Sequence, residues 1–337
     1  MGHIAFVTGG TGYIGSHVLI ILLEAGYDVI CLHYSDIHVA SQCFNRVEEI
    51  TGKKIKRYKG NLVNEASVRM VFEENKIHTV FHLAALKAVS ESVQKPLEYY
   101  NNNVTGTLNL LKIMNEYKVN HLVFSSSATV YGSVENCAQT GIIEEQPTNP
   151  INPYGQTKAM VEQILRDLHI SKPDMNIAVL RYFNPVGAHP SGKIGEDPKG
   201  IPNNLVPFIL QVATGLRQRL YIYGDDYETR DGTGMRDYVH VMDLARGHLL
   251  ADRFLEERKG VYEIFNLGSG KGTTVFEIMR AIEDASGKKI PYEVAPRRSG
   301  DVGLYIADSS KAHRLLSWTP QLSLTDIDTL EDRDTVL

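Results

Sequence analysis

Cysteine is scarce in this 337-residue chain: Cys31, Cys43 and Cys137 are odd in number and far apart. That suits a reducing compartment better than a disulfide framework. No His, Cys and carboxylate cluster has zinc-like spacing, so no metal is expected. No stretch is apolar enough to span a bilayer. The start, Met1-Gly2-His3-Ile4, enters an apolar run without a basic region or cleavage site, and Phe6 stands where a myristoylation signal needs Ser or Thr. The expectation is a cytoplasmic protein without membrane association. Basic residues are outnumbered, with 35 Lys and Arg against 40 Asp and Glu for a net charge of −5, and no basic cluster carries interleaved aromatics. Nucleic acid is therefore not an expected partner.

Glycine, by contrast, is plentiful and pointedly placed. Ile4–Val7 reads as a buried strand leading into Thr8-Gly9-Gly10-Thr11-Gly12-Tyr13-Ile14-Gly15, after which Leu19, Ile20, Leu22 and Leu23 follow a helical pattern to Gly26. Gly10, Gly12 and Gly15 fit the dinucleotide fingerprint, in which glycines let the backbone approach a pyrophosphate at a helix N-terminus. A second strand, Asp28 to Leu32, ends at His33 where the fingerprint expects an acid for the ribose, and Asp36 is the nearby candidate to replace it. Further strands are read at Ile55–Tyr58, Val80–Ala85, His121–Phe124 and Asn176–Arg181. Helical patterns separate them at Ala66–Phe72 and from Leu97 through Leu108, Leu111 and Met114. This alternation predicts an α/β fold with a parallel sheet that binds ligands beyond its carboxyl ends. The glycine turn, Lys87 and the hydroxyl cluster Ser125 to Thr129 all fall at that edge, and His82 reads as a packed core histidine. Gly187 to Lys193 imitates a phosphate loop, but Ile194 stands where a magnesium-binding hydroxyl is required. Gly268 to Gly272 reads as a turn after a strand at Tyr262–Asn266.

Tyr154 and Lys158 are four residues apart, so a helix places phenol and ammonium on one face. Asn152-Pro153 is a helix-start signal, and Met160, Val161, Ile164, Leu165 and Leu168 continue the pattern. An ammonium within about 4–6 Å lowers a phenol's pKa by roughly 1–3 units, so Tyr154 is expected to serve as a base near neutral pH.

A hydroxyl cluster ending a strand, a tyrosine and lysine four apart, and a glycine-rich turn together resemble the extended short-chain dehydrogenase/reductases. Ala85-Leu86-Lys87-Ala88-Val89, Ser125 to Gly132, Asn152-Pro153-Tyr154-Gly155, Arg181 to Pro185, Gly200 to Leu205 and Asp231-Gly232-Thr233-Gly234 with Arg236-Asp237-Tyr238 narrow the resemblance to the UDP-glucose 4-epimerase family. The resemblance covers nearly the whole chain. It implies a Rossmann-type doubly wound parallel sheet over residues 1–183 and a smaller C-terminal α/β substrate-binding lobe over residues 184–337, with some segments returning to the first domain. It further implies an NAD-dependent isomerase that interconverts UDP-galactose and UDP-glucose through a 4-keto sugar, and a homodimer formed through the helices from Leu97 and Tyr154.

Carried over residue by residue, Tyr154 would be the proton acceptor beside Ser127, with Lys158 holding the nicotinamide ribose. Gly9, Gly12, Tyr13, Ile14 and Gly15 would line the NAD pyrophosphate. His33, Asn61 and Leu62 fall at the adenosine, Leu83, Lys87 and Asn103 support the cofactor, and Tyr182 packs at the nicotinamide. Ser127, Ala128 and Thr129 face the hexose. Phe183, Asn184, Asn203, Asn204, Leu205, the Tyr221-Ile222-Tyr223 strand, Arg236, Arg298 and Asp301 belong to the nucleotide-sugar site, and the ring of Tyr305 is expected to disfavour N-acetylated sugars. The chain departs from the family at His33-Tyr34, where Asp-Asn is usual, at Asn61, where an acid faces the adenine, and in the acidic tail from Asp326 to Asp334. The rival reading is a catalytically weak, epimerase-like protein that binds nucleotide sugars. A dehydratase is disfavoured because Val130 and Tyr131, rather than an acid pair, follow Thr129.

Overall fold

Alternate side chains of strand β1 (Ile4–Thr8) leave on opposite sides of a sheet, Ala5 and Val7 into one apolar core and Phe6 into another. The same period of two recurs in β2 (Asp28–His33), where Val29 and Cys31 face one core and Ile30 and Leu32 the other. A strand buried on both faces needs helices on both. In the computed structural model, which describes residues 3–34, 36–134, 141–198, 200–298 and 301–323, both faces are covered. Helices Tyr13–Glu24, Ile37–Thr51 and Val241–Glu256 close one side, and Glu65–Glu73, Gly106–Glu116 and Pro153–Ser171 the other. Cys137 and the tail from Asp326 lie outside the described residues.

The seven-stranded sheet runs β10-β6-β5-β4-β1-β2-β3, with β3 at Lys56–Lys59, β4 at Thr79–His82, β5 at His121–Ser127, β6 at Asn176–Tyr182 and β10 at Tyr262–Leu267. Every pairing in it is parallel. The order reverses direction between β1 and β4, the switch point at which such sheets hold ligands. Its edge strand β10 comes from well beyond residue 184 and aligns Leu267 with Tyr182.

The helix expected from Leu97 to Met114 is interrupted. Pro96–Tyr100 runs into a π-helical turn, Asn101–Thr105, before Gly106–Glu116 resumes the regular pitch. The bulge turns Asn103 inward, where its Oδ1 accepts from Leu86 N at 2.8 Å and its Nδ2 donates to Thr157 Oγ1 at 3.0 Å. Apolar periodicity carries no sign of such a bulge.

A second, smaller sheet joins β7 (Asn184–Val186), β9 (Met235–His240), β11 (Gly272–Thr274) and β13 (Leu304–Tyr305), and β8 (Leu220–Tyr223) pairs in parallel with β12 (Tyr292–Ala295). Helices Leu205–Ala213 and Val275–Ser286 pack on these strands around Ile209, Ile222, Tyr238 and Ile278. Asp237 ties the sheets together. Its buried carboxylate accepts from Ser269 N at 2.6 Å, Gly270 N at 2.9 Å and Ala307 N at 3.0 Å, which fixes the turn after β10. Among the described residues no helix is long and apolar enough to cross a membrane.

Candidate active site

The glycine turn is built for two different reasons. At Gly9, with φ +75°, a Cβ would lie 2.6 Å from Ala84 N, and at Gly15 it would lie 2.1 Å from Gly9 O. Those glycines let β1, β4 and the helix Tyr13–Glu24 close up. At Gly12 a Cβ would meet only Gly9 O, at 3.3 Å, and φ is −82°. Packing does not demand glycine there. What it provides is open space at a helix N-terminus that lacks a side-chain cap, the place where a pyrophosphate fits. The residues present therefore suit a dinucleotide. Tyr13 donates its hydroxyl to Gly187 O at 2.6 Å, joining this turn to the segment that follows β7.

At the second strand's end, His33 is buried and stacks edge-on against Phe44, with ring centroids 5.4 Å apart. Asp36 does not fold back to replace the missing acid. Its carboxylate accepts from His38 N at 2.9 Å as the N-cap of the helix Ile37–Thr51, a local partner always within reach of an Asp at that position. Asn61 caps its own turn by accepting from Val63 N at 3.1 Å, and Leu62 beside it is buried. Leu83, half-buried, follows β4, where the loop meets Gly9.

His82 sits in a directional hydrogen-bond chain. Thr107 donates to Asn103 O at 2.6 Å, so it accepts from His82 Nε2 at 2.7 Å, which leaves Nδ1 to accept from Thr8 Oγ1 at 2.8 Å. Burial holds this histidine neutral, with its pKa pushed down to about 3. It is a core residue, and through Asn103 it braces the loop that carries Lys87. Asn103 itself is saturated by protein partners, so it acts on a ligand by position rather than contact.

The end of β5 and the start of the helix Pro153–Ser171 carry the chemistry. Asn152 caps that helix by accepting from Gly155 N at 2.8 Å, with Pro153 in its first turn. Ser127 caps the 3-10 turn Ala128–Tyr131, accepting from Thr129 N at 3.2 Å and from its hydroxyl at 3.0 Å, and hydrogen-bonds to Tyr154. The electrostatic expectation for Tyr154 is not met. Its pKa is raised by burial, opposed only in part by the Ser127 hydrogen bond. Lys158 has a partner of its own: its Nζ donates to Ser125 O at 2.7 Å and lies 4.9 Å from the Phe124 ring centroid. Burial brings Lys158 down to about 7, with Glu162 opposing. A spacing of four fixes a shared face, but the nearest buried acceptor decides where a flexible ammonium points.

Tyr182 shares that acceptor residue. Its hydroxyl meets Ser125 Oγ at 2.6 Å and His248 Nε2, while His248 Nδ1 donates to Leu244 O at 2.8 Å, and burial raises the phenol's pKa. Tyr182 is thus anchored from behind, not free at its polar end. Phe183 and Tyr305 are both buried with ring centroids 5.7 Å apart, and Tyr305 donates to Ala128 O at 2.7 Å, closing one wall beside Ala128 and Thr129.

Farther out, Glu196 Oε1 gathers Lys87 Nζ at 3.2 Å and Asn204 Nδ2 at 3.0 Å, while Asn203 Oδ1 lies 3.5 Å from Ser90 Oγ. Asn184 pairs with Tyr238 across β7 and β9, and Leu205 opens the following helix. Arg236 donates to Met235 O at 2.9 Å. Arg298 pairs with Asp301 at 2.8 Å and lies over the Tyr223 ring at 4.5 Å. In β8, Tyr221 and Tyr223 are exposed, but the Ile222 side chain enters the core, so only its main chain can face a ligand. Strand alternation dictates that placement.

Sequence reasoning missed the scaffold behind Tyr154. Arg181 Nη2 and Glu162 Oε2 form a buried pair at 2.6 Å, Ser126 Oγ donates to Glu162 Oε1 at 2.5 Å, and the Arg181 guanidinium covers the Tyr131 ring at 4.6 Å. Tyr131 in turn donates to Asn266 Oδ1 at 2.6 Å. The signal was there: Glu162 follows Lys158 by the same four residues that separate Lys158 from Tyr154.

The doubly wound sheet, the glycine turn and the Ser127-Tyr154-Lys158 arrangement define an extended short-chain dehydrogenase/reductase. The GDP-mannose 4,6 dehydratase family matches residues 6–329. The chain is 50% identical over 321 residues to the UDP-glucose 4-epimerase of Bacillus subtilis (strain 168), covering 95% of this chain and 93% of that one. It is 48% identical over 326 residues to the UDP-glucose 4-epimerase of Mus musculus, covering 94% and 92%. A crystal structure of UDP-glucose 4-epimerase from Bifidobacterium longum in complex with NAD+ and UDP superposes with a TM-score of 0.89 at 49% identity, covering 96% of each chain. This chain belongs to the UDP-glucose 4-epimerase family.

Proposed function

We propose that the protein is an NAD-dependent UDP-glucose 4-epimerase that interconverts UDP-galactose and UDP-glucose. The observation that carries this reading is Tyr154, hydrogen-bonded to Ser127 at the carboxyl end of the same parallel sheet whose β1 leads into the glycine turn, and on the same helix face as Lys158. Tyr154 takes the proton of the sugar's 4-hydroxyl and returns it after the hexose has turned. Ser127 shares a hydrogen bond with that phenol and fixes where the hydroxyl must lie. Gly12, Tyr13, Ile14, Lys87 and Lys158 hold the dinucleotide. NAD bound there supplies reversible hydride exchange at C4 and a positive charge that favours the Tyr154 phenolate. Arg236 and Arg298, whose planar forks suit phosphate, anchor the nucleotide with Asn184 and Asn204 while the hexose swings.

The described segments beyond residue 184 that do not return to the main sheet, as β10 and the helix Val241–Glu256 do, serve as the nucleotide-sugar lobe. Val93 and Leu97, 62% and 81% exposed on the helices beside Pro153–Ser171, support a homodimer through these faces. A cytoplasmic setting suits the free thiols of Cys31 and Cys43. The test is conversion of UDP-galactose to UDP-glucose by the purified protein, with fluorescence of retained NAD(H) read in parallel. The absence of conversion with and without added NAD overturns the reading, and retained nucleotide without turnover would mark a binding protein.

A further inference from the structure

A second set of polar side chains gathers at the end of the sheet opposite the glycine turn. His3 lies just before β1, and Asp252 and Glu256 stand four apart on the helix Val241–Glu256, so both carboxylates leave one face toward it. His3 Nε2 is 3.0 Å from Glu256 Oε1 and 3.7 Å from Asp252 Oδ2. One donor atom from each of the three residues lies within 4.8 Å of the others. The ring of His78, just before β4, lies against that of His3 with centroids 4.8 Å apart, and Tyr27 meets the His3 ring edge-on at 4.9 Å, so the imidazole is held in place.

A second observation points to a ligand. Asp252 is fully buried; its Oδ2 accepts from Tyr27 at 2.8 Å, and Thr79, whose hydroxyl lies 3.4 Å from His3 Nε2, also hydrogen-bonds to the carboxylate, yet Oδ1 is buried without a well-aligned partner of its own. A buried carboxylate is kept only where its charge is answered, and an ion pair between His3 and the more exposed Glu256 leaves Oδ1 unanswered. The neighbouring cavity, about 620 Å³, shares Glu256 and is lined by His121, whose Nδ1 is also buried without a partner. It offers a way in from solvent.

We propose that His3 Nε2 and the carboxylates of Asp252 and Glu256 bind one divalent transition-metal ion of the zinc class, with water completing the shell. A tetrahedral ion at about 2.0–2.2 Å from its donors holds them roughly 3.3–3.6 Å apart, inside the 4.8 Å that bounds the three donor atoms here. One imidazole with two carboxylates selects such an ion over magnesium or calcium, which take oxygen donors. The ion staples the entry of β1 to the last turns of the helix Val241–Glu256, far from Tyr154, so its role is structural.

The test uses untagged full-length protein stripped with chelator and titrated with ZnCl2 and, for its visible spectrum, CoCl2. One equivalent should bind saturably and raise the melting temperature. Glu256→Gln should weaken binding roughly tenfold or more and His3→Ala should abolish it, while epimerisation by both variants stays at the wild-type rate. Absence of saturable binding by the wild type overturns the assignment. So does binding that is unchanged in both variants, which places the ion elsewhere.

Discussion

Lys158 Nζ donates to the Ser125 carbonyl at 2.7 Å, so the strand that presents Ser127 also holds the ammonium that helix spacing places beside Tyr154. The strand end and the helix start are thereby locked into one unit.

Replacing Tyr154 by Phe removes the group that carries the proton while keeping the ring. Turnover should fall by at least about 10²–10⁴-fold with UDP affinity retained, since a positioned general base is worth that much. Steady-state kinetics and a UDP titration of the same preparation check both halves, and near-normal turnover would remove Tyr154 from the reaction.

Burial lowers Lys158 from 10.5 to about 7, so the unfolded chain binds this proton more tightly than the folded one. The resulting cost is full below pH 7 and fades as pH rises toward 10.5, because stability increases with pH wherever the unfolded state holds more protons. Lys158→Met should therefore be more stable than wild type at pH 6, by a margin that narrows toward pH 10, while losing activity throughout. Urea midpoints across this range read the slope; a margin that does not change with pH contradicts it.

Breaking the buried pair from one side should be severe. Glu162→Gln leaves Arg181 charged and uncompensated, at a cost of about 3–5 kcal/mol, whereas Glu162→Leu combined with Arg181→Met should recover most of that loss. Chemical denaturation of the single and double variants measures the difference. Turnover should stay low in the double variant even so, because Ser126 loses its acceptor and Tyr131 the guanidinium over its ring, the contacts that set β5 and the turn after it.

The two kinds of glycine in the turn should separate experimentally. Gly15→Ala drives a methyl to 2.1 Å from Gly9 O and should destabilise the fold, whereas Gly12→Ala meets only a 3.3 Å contact and should fold normally but retain NAD poorly. Melting temperature and bound-nucleotide fluorescence, read side by side, decide it.

Shortening Tyr305 to Cys removes the ring that rests on Phe183 and bonds Ala128 O. The ratio of rates on UDP-N-acetylglucosamine to UDP-glucose should rise roughly tenfold or more, the order expected from opening an apolar wall. An unchanged ratio would show that Tyr305 does not bound the sugar pocket.

The sheet, its parallel sense and the glycine turn were legible because period-two burial and φ-positive positions write themselves into local sequence. Tyr154, Ser127 and Lys158 were legible for a similar reason, since helix geometry and strand ends fix where they stand. What stayed hidden depends on competition for partners across long separations. Asp36 was claimed by a helix N-terminus, Lys158 by a carbonyl 33 residues away, and Asn103 by a loop and a neighbouring helix. The resemblance named Tyr221-Ile222-Tyr223 as a segment, and only the strand's alternation decides that Ile222 turns inward while its neighbours stay exposed.

The origin of β10 sets an order of events during synthesis. Until Leu267 has emerged from the ribosome, β6 has only one neighbour, and the amides and carbonyls between Ile177 and Tyr182 that face away from β5 stand open to any passing strand. A gene shortened after residue 183 would leave that edge bare for good, so the product should aggregate rather than behave as an independent nucleotide-binding unit.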